Sequence, residues 1–379
     1  MMYPRFSCKL SGLFLLRIAD KQTQRACSIT YNEAIEISDA KMTKKILVTG
    51  ASGFIGSHTV IDLLKNGYEV RGTIRDLSRA AGLEKLFRAE VRHLDNLTLV
   101  EANLTDVDCW KKAVEGCDGV FHLASPVPIE QPEDPDELII PAREGVLNVL
   151  KAAADANIKR VVLTSSVAAV SANPGAGETV QSEADWSDPQ FPTINAYGLS
   201  KTLAERAAWD FTATHDIELI TINPAMVLGP ALEPDYGSSL EALALLMGGR
   251  YPLLPKLSMG IVDVRDVATL HRLAFERGNS GSRLLCSHGH MSLLDIATLL
   301  GKEIPTLARK LPRYELPSFI FRILGKFNPV IETIVPDLNK IVEYDCAPAF
   351  DLGWQPRPIE EAVLFGARSL IEHGVIKIS

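Results

Sequence analysis

A glycine-rich turn between a short apolar run and a helical stretch constrains this chain more than any other feature. The run is Ile46-Leu47-Val48, and residues 49–56 after it carry three glycines spaced Gly-x-x-Gly-x-x-Gly. A helical pattern then continues to Lys65. Glycines also mark ordinary turns, but in a strand–turn–helix context they let a pyrophosphate approach the N–H groups that open the helix. We therefore predict a dinucleotide site at the start of the fold.

The same alternation of apolar runs and amphipathic stretches continues as far as residue 222. It predicts strands over 68–74, 97–101, 119–123, 160–164 and 218–222, with helices over 106–115, 141–156 and 198–215. Strands that alternate with helices form βαβ units, so we predict the α/β class, with a Rossmann-type doubly wound parallel sheet.

The alternation loosens beyond Pro230, which indicates a smaller C-terminal substrate lobe. We expect an NADP-binding Rossmann domain over 44–229 and a mainly substrate-binding lobe over 230–379. Two later apolar runs, 262–264 and 283–286, are expected to return to the main domain.

Globular patterning begins abruptly at Lys44, directly after Met42-Thr43. We interpret residues 1–43 as an extension without a role in the fold. The basic character of its first part leaves an organelle transit sequence open, and a weak secretory signal is the third alternative.

Composition restricts the partners of the chain. Its 379 residues carry a formal net charge of -8, and an acidic surface repels the phosphate backbone of nucleic acids. No apolar run approaches the roughly 18 residues that cross a bilayer. The six cysteines include no Cys-x-x-Cys pair, which is typical of reduced thiols. We expect a cytoplasmic monomer or homodimer that binds no nucleic acid and no membrane.

The end of the second predicted strand indicates which dinucleotide is bound. An NAD site usually places an acid there for the ribose 2′-hydroxyl, whereas this chain has Thr73-Ile74 followed by Arg75. A guanidinium suits a 2′-phosphate, and Arg79 could add a second contact. We therefore predict NADP(H). In the alternative interpretation, Arg75 is a solvated loop residue that Asp76 neutralises.

A tyrosine and a lysine spaced by four residues lie at the start of the predicted helix over 198–215. Tyr197 and Lys201 would lie on one helix face, one turn apart. A cation lowers the cost of forming a phenolate from a tyrosine whose ordinary pKa is about 10. Ser165 and Ser166 follow the fifth predicted strand, where a hydroxyl can bind a substrate carbonyl that Tyr197 protonates. The alternatives are an exposed helix pair and serines that only cap.

Taken together, these motifs resemble the extended short-chain dehydrogenase/reductase superfamily. Within it, the similarity is to the branch of dihydroflavonol reductases, cinnamoyl-CoA reductases and methylglyoxal (aldehyde) reductases. The resemblance extends over roughly residues 45–376 and rests on segments 48–56, 73–76, 120–126, 162–166, 197–205, 222–224, 262–268 and 352–356.

The resemblance implies a role for each matched position. Ser166 would bind the carbonyl, Tyr197 would donate the proton, and Lys201 would activate the tyrosine and hold the nicotinamide ribose. With the residues already discussed, the expected cofactor contacts are Gly50, Gly53, Phe54, Ile55, Gly56, Arg75, Arg79, Asn103, Leu104, Leu123, Ala124, Ser125, Tyr197, Lys201, Pro224, Val227 and Ser239.

Three positions depart from the family pattern. Asn103 stands where the family commonly has an aspartate against the adenine. Gly82 replaces a basic residue of some relatives, which makes Arg79 the substitute. Ser171 replaces a larger polar residue of the flavonoid-acting relatives, which disfavours a dihydroflavonol substrate.

The resulting hypothesis is NADPH-dependent reduction of a small aldehyde or ketone to an alcohol. An NAD-dependent sugar-nucleotide epimerase or dehydratase on the same scaffold is one alternative, and a non-catalytic NADP-sensing protein is another. We predict no metal site, since no carboxylate or thiol cluster accompanies His288 and His290.

Overall fold

A computed structural model of the chain describes residues 43–377, apart from 93, 127–131, 133, 235 and 250–251. The predicted extension therefore lies outside the described residues, except for Thr43. Within the described ranges, no helix is both long enough and apolar enough to cross a membrane.

Seven parallel strands form the main sheet, in the order β3-β2-β1-β4-β5-β6-β9. This confirms the predicted α/β fold with a doubly wound parallel sheet. The chain order reverses between β1 and β4, and ligands of such sheets bind at the carboxyl ends of the strands beside that point. The strands are β1 (Lys45–Thr49), β2 (Glu69–Ile74), β3 (Leu97–Glu101), β4 (Gly119–His122), β5 (Arg160–Thr164), β6 (Glu218–Pro224) and β9 (Arg283–Cys286).

Helices cover both faces of this sheet. Side chains alternate between the two faces of a strand, and β1 shows the consequence directly. Ile46 and Val48 belong to one apolar cluster, whereas Leu47 belongs to another. The first cluster includes residues of α1 (Phe54–Lys65), α2 (Ala80–Glu90) and α7 (Val264–Arg277), and the second includes residues of α3 (Val107–Val114), α4 (Asp136–Asp155) and α5 (Ala196–Thr212).

Two helices begin earlier than the sequence predicted. Helix α4 starts at Asp136, and Pro141, the predicted first residue, lies inside it. Proline is typical of a first helical turn, but here the acidic Asp136 and Glu137 occupy that turn, where they suit the helix dipole. Helix α5 starts two residues early because the Asn195 side chain accepts a hydrogen bond from the Gly198 N–H, at 2.8 Å.

A second sheet has three strands in the order β10-β8-β7, namely β7 (Met226–Leu228), β8 (Ser258–Asp263) and β10 (His290–Ser292). Residues 262–264 were predicted to return to the main domain, and Val262 and Val264 belong to the apolar cluster that includes Ile46 and Val48 of β1. Val262 and Asp263 end β8, which pairs with β7, and Val264 begins α7.

The C-terminal helices pack against this second sheet and form a separate apolar cluster. Its buried members include Leu243 and Met247 of α6 (Ser238–Met247), Leu300 of α8 (Leu293–Glu303) and Leu370 of α12 (Ile359–Glu372). Three short helices complete the described chain, α9 (Ser318–Gly325), α10 (Pro329–Ile334) and α11 (Ala347–Asp351).

Candidate active site

The turn between β1 and α1 forms a tight backbone cradle. Thr73 of β2 supports it, because its hydroxyl accepts from the Gly50 N–H at 3.1 Å and its carbonyl accepts from the Ala51 N–H at 2.9 Å. Gly50 has φ +69°, which favours glycine, and a Cβ on Gly56 would lie 2.0 Å from the Gly50 oxygen. The cradle therefore exists only while residue 56 has no side chain.

The end of β4 is tied to the cradle through Thr49. The Thr49 hydroxyl accepts from the backbone N–H groups of Leu123 and Ala124, at 3.0 and 2.9 Å. Its own proton is then available to His122 Nδ1, which lies 2.8 Å away. Burial lowers the pKa of His122 to about 3, with a further contribution from the charge of Lys201. We infer that His122 is a neutral structural residue with its proton on Nε2.

The corner after β5 places Ser166 opposite α5. The Ser165 N–H donates to the Ile222 carbonyl of β6 at 2.7 Å, which fixes the corner against the next strand. The Ser166 hydroxyl accepts from the Ala168 N–H at 3.1 Å, so it does cap a short 3₁₀ turn. The Ser166 side chain also lowers the pKa of Tyr197, so the residue that caps this turn interacts with the tyrosine as well.

Tyr197 and Lys201 lie one turn apart on α5, as their spacing predicted. The Lys201 Nζ is 5.7 Å from the centroid of the Tyr197 ring. Burial raises the pKa of Tyr197, and the hydrogen bond with Ser166 opposes this rise. Burial lowers the pKa of Lys201 to about 8, and the carboxylate of Glu205 opposes that fall. At neutral pH the tyrosine thus keeps its proton while the lysine remains mostly an ammonium.

One groove of about 570 Å³ runs along the carboxyl edge of the main sheet and connects the cradle to these side chains. Its volume is in the range of cofactor sites. Every residue predicted for the site lines it: Gly50, Gly53, Phe54, Ile55, Gly56, Arg75, Arg79, Asn103, Leu104, Leu123, Ala124, Ser125, Ser166, Tyr197, Lys201, Pro224, Val227 and Ser239.

The groove also has lining residues that sequence reasoning missed. Trp110 and Pro141 reach it from α3 and α4, and no local pattern links either residue to the cradle. Tyr236, Gly237 and Ser238 line it just before and at the start of α6. Gly237 directly precedes α6, and a glycine before an amphipathic stretch is a signal for a helix start that the sequence offered.

The end of the groove next to β2 carries two basic side chains, Arg75 and Arg79. Arg75 is exposed. Arg79 forms an ion pair with Glu233, with Nη2 and Oε1 at 2.7 Å and side-chain exposures of 36% and 26%. The Asn103 side-chain oxygen accepts from the Thr105 N–H within its own turn. Among the described residues, no group of three or more His, Cys, Asp or Glu side chains could hold a metal ion.

Comparison with known proteins gives a consistent set of relatives. The family described as NAD dependent epimerase/dehydratase matches residues 46–285. Cinnamoyl-CoA reductase 1 of Petunia hybrida is 36% identical over 338 residues, which cover 88% of this chain and 94% of the relative. Tetraketide alpha-pyrone reductase 1 of Arabidopsis thaliana is 39% identical over 325 residues, which cover 79% and 95%.

A solved structure shares the whole fold. Yeast methylglyoxal/isovaleraldehyde reductase Gre2, complexed with NADPH, superposes with a TM-score of 0.72 at 28% identity. The superposition covers 88% of this chain and 100% of the Gre2 chain.

Proposed function

The chain belongs to the NAD-dependent epimerase/dehydratase family of extended short-chain dehydrogenases/reductases, and on that premise we propose that it reduces a small aldehyde or ketone to an alcohol. It is an NADP-dependent oxidoreductase, and the prediction of NADP(H) is confirmed. One observation carries the proposed reaction. Ser166, Tyr197 and Lys201 meet in the same groove as a phosphate cradle, with their ionisation suited to proton donation.

The residues present fit NADP(H) at both ends of the groove. The cradle between Gly50 and Gly56 has no room for a Cβ but leaves backbone N–H groups at the start of α1, which suits a pyrophosphate. Arg75 and Arg79 follow β2, whose end carries no acid, and this suits a 2′-phosphate. When bound, NADPH supplies the hydride, and the protein supplies position and electrostatics.

The remaining steps follow from side chains of this chain. The side chains of Ser166 and Tyr197 interact and line the same groove, which suits a carbonyl oxygen that contacts both hydroxyls. Tyr197 is protonated at neutral pH because burial raises its pKa, and it donates that proton to the oxygen as the alcohol forms. The Lys201 ammonium then stabilises the phenolate that remains.

The test is NADPH oxidation, followed by absorbance, with a panel of aldehydes, 2-oxoaldehydes, ketones and an aromatic acyl-CoA thioester, each repeated with NADH. The thioester is included because several relatives are cinnamoyl-CoA reductases. Turnover with one carbonyl class is the expected result. Silence across the panel, in spite of measurable cofactor binding, would favour the epimerase or the NADP-sensing alternative.

The variant Tyr197→Phe separates chemistry from binding. We expect kcat to fall about 10²- to 10⁴-fold, the range for loss of a positioned proton donor, while the Kd for NADPH changes little. Tyr68→Phe is the matched control, because its hydroxyl donates to Glu276 at 2.9 Å, away from the groove. Turnover by Tyr197→Phe at the rate of this control would overturn the assignment.

A further inference from the structure

We propose that Glu205 is a positioning residue for this reaction, because it holds the Ser165–Ser166 corner against α5, the helix that carries Tyr197 and Lys201. The inference rests on the proposed function and adds to it a residue that does not touch substrate or cofactor. Glu205 lies one turn beyond Lys201 and two turns beyond Tyr197 on α5.

The Glu205 carboxylate is completely buried and is the common acceptor of five donors. Each donor comes from a side chain that is itself at least partly buried. The donors are Ser165 Oγ at 2.5 Å, Arg283 Nε at 2.7 Å, Asn223 Nδ2 at 2.8 Å, Thr221 Oγ1 at 3.1 Å and Trp209 Nε1 at 3.3 Å. A buried carboxylate needs such partners, and together they fix its position closely.

Two of these hydrogen bonds reach the Ser166 corner. Ser165, which directly precedes Ser166, donates its hydroxyl proton to Glu205. Asn223 donates through the same Nδ2 to Glu205 and, at 3.1 Å, to the Ser166 carbonyl oxygen. Glu205 therefore connects the backbone that carries Ser166 to the helix that carries Tyr197 and Lys201.

Arg283 of β9 anchors Glu205 from the opposite side. Its side chain is 7% exposed, and its Nη1 donates to the carbonyls of Glu183 and Asp185 at 2.6 and 2.7 Å. Its guanidinium carbon lies 3.7 Å from the ring centroid of Trp186. Residues 183–186 belong to the segment that joins the serine corner to α5. Arg283 binds both this segment and Glu205, and so it holds the two together. A buried ion pair adds little stability over an apolar pair, which makes positioning the better explanation.

The charge of Glu205 also acts on Lys201. Among the residues that the structure describes, the titratable groups that interact with Lys201 are Tyr197 and Glu205 on α5 and His122 on β4. His122 is neutral and Tyr197 is protonated, so Glu205 is the anion in this set, partly neutralised by Arg283. Removing the negative charge of Glu205 would lower the pKa of Lys201 below its present value of about 8.

The variant Glu205→Gln tests both effects. We expect kcat to fall more than about 10-fold, since small misplacements of catalytic groups cost about this much or more. We also expect the alkaline limb of the kcat/KM profile to move to lower pH, because the charge of Glu205 raises the pKa of Lys201. The loss of NADPH affinity at high pH, followed by nucleotide fluorescence, should move in the same direction, because Lys201 lines the cofactor groove. Asp210→Asn is the matched control, since it removes an exposed acid from the same helix.

A purely structural role would lower the active fraction equally at every pH. Glu205→Gln with the pH profiles of Asp210→Asn would therefore overturn the proposal.

Should Glu205→Gln not fold, Glu205→Asp keeps the charge and shifts the carboxylate. We expect it to lower kcat with the alkaline limb unmoved, and a wild-type kcat would overturn the proposal. A wild-type protein without turnover on any carbonyl would count against the proposed function instead, and the binding profile would still test the effect on Lys201.

Discussion

Gly56→Ala perturbs the cofactor cradle at its tightest point. The added Cβ would lie 2.0 Å from the Gly50 oxygen, 2.9 Å from the Gly50 carbonyl carbon and 3.2 Å from the Ala51 Cα. Ordinary contacts begin at 3.4 Å, and all three atoms belong to the backbone, so the turn and α1 must move apart by more than an ångström. Overpacking of this kind costs about 1–3 kcal/mol of folding stability.

The same displacement moves the N–H groups at the start of α1 away from the proposed pyrophosphate position. A hydrogen bond to a charged group contributes about 1.5–3 kcal/mol, so losing one weakens NADPH binding roughly 10- to 100-fold. We expect this increase in Kd by fluorescence titration, together with a lower melting temperature.

Gly82→Ala is the control for this substitution. Gly82 lies inside α2, and no atom lies within 4 Å of the position of its added Cβ. The change should leave the Kd for NADPH unaltered and stabilise the fold by about 0.5–1 kcal/mol, since alanine favours helix. A folded Gly56→Ala protein that binds NADPH with the wild-type Kd would refute the reasoning about the cradle.

Two further predictions concern charged groups. Glu233→Gln removes an anion that lies 2.7 Å from Arg79 and near the expected 2′-phosphate, so NADPH should bind about two- to five-fold tighter relative to NADH, as suits a partly exposed pair. Titration with both nucleotides checks this, and an equal change in the two Kd values would contradict it. Burial lowers the pKa of His271 to about 4 from 6.5, so its neutral form contributes stability that is complete above pH 6.5 and is lost as the pH falls toward 4. His271→Asn should therefore show a shallower decline in melting temperature between pH 7 and 4.5, and an unchanged slope would contradict the assignment.

The sequence was sufficient for those parts of the site that depend on local pattern. Strand positions follow from short apolar runs, and parallel strands bring their carboxyl ends to one edge. For that reason the amino-acid sequence alone predicts that the serine corner after β5 meets the Tyr197–Lys201 pair on α5. The spacing and the residue types of these side chains also predict the proton donation that we propose.

Contacts between distant segments could not be predicted in this way. Glu205 meets Arg283 only because β9 is added beside β6 after a long excursion through the second sheet. Glu233 meets Arg79 because the chain before α6 returns to the groove near β2. The sequence offered one signal for the Glu205 contacts. Glu205 is a charged residue four positions after Lys201, so both lie on the same face of α5.

The late position of β9 has a consequence for synthesis of the chain. Strand β6 pairs with β5 on one side and with β9 on the other, and β9 follows roughly 60 residues later. Ribosomes add about 5–20 residues per second, so the outer edge of β6 stays unpaired for roughly 3–12 s during translation. An unpaired apolar edge is a template for association with other chains. The nascent protein therefore has its greatest need of a chaperone while β7, α6, β8 and α7 are being made.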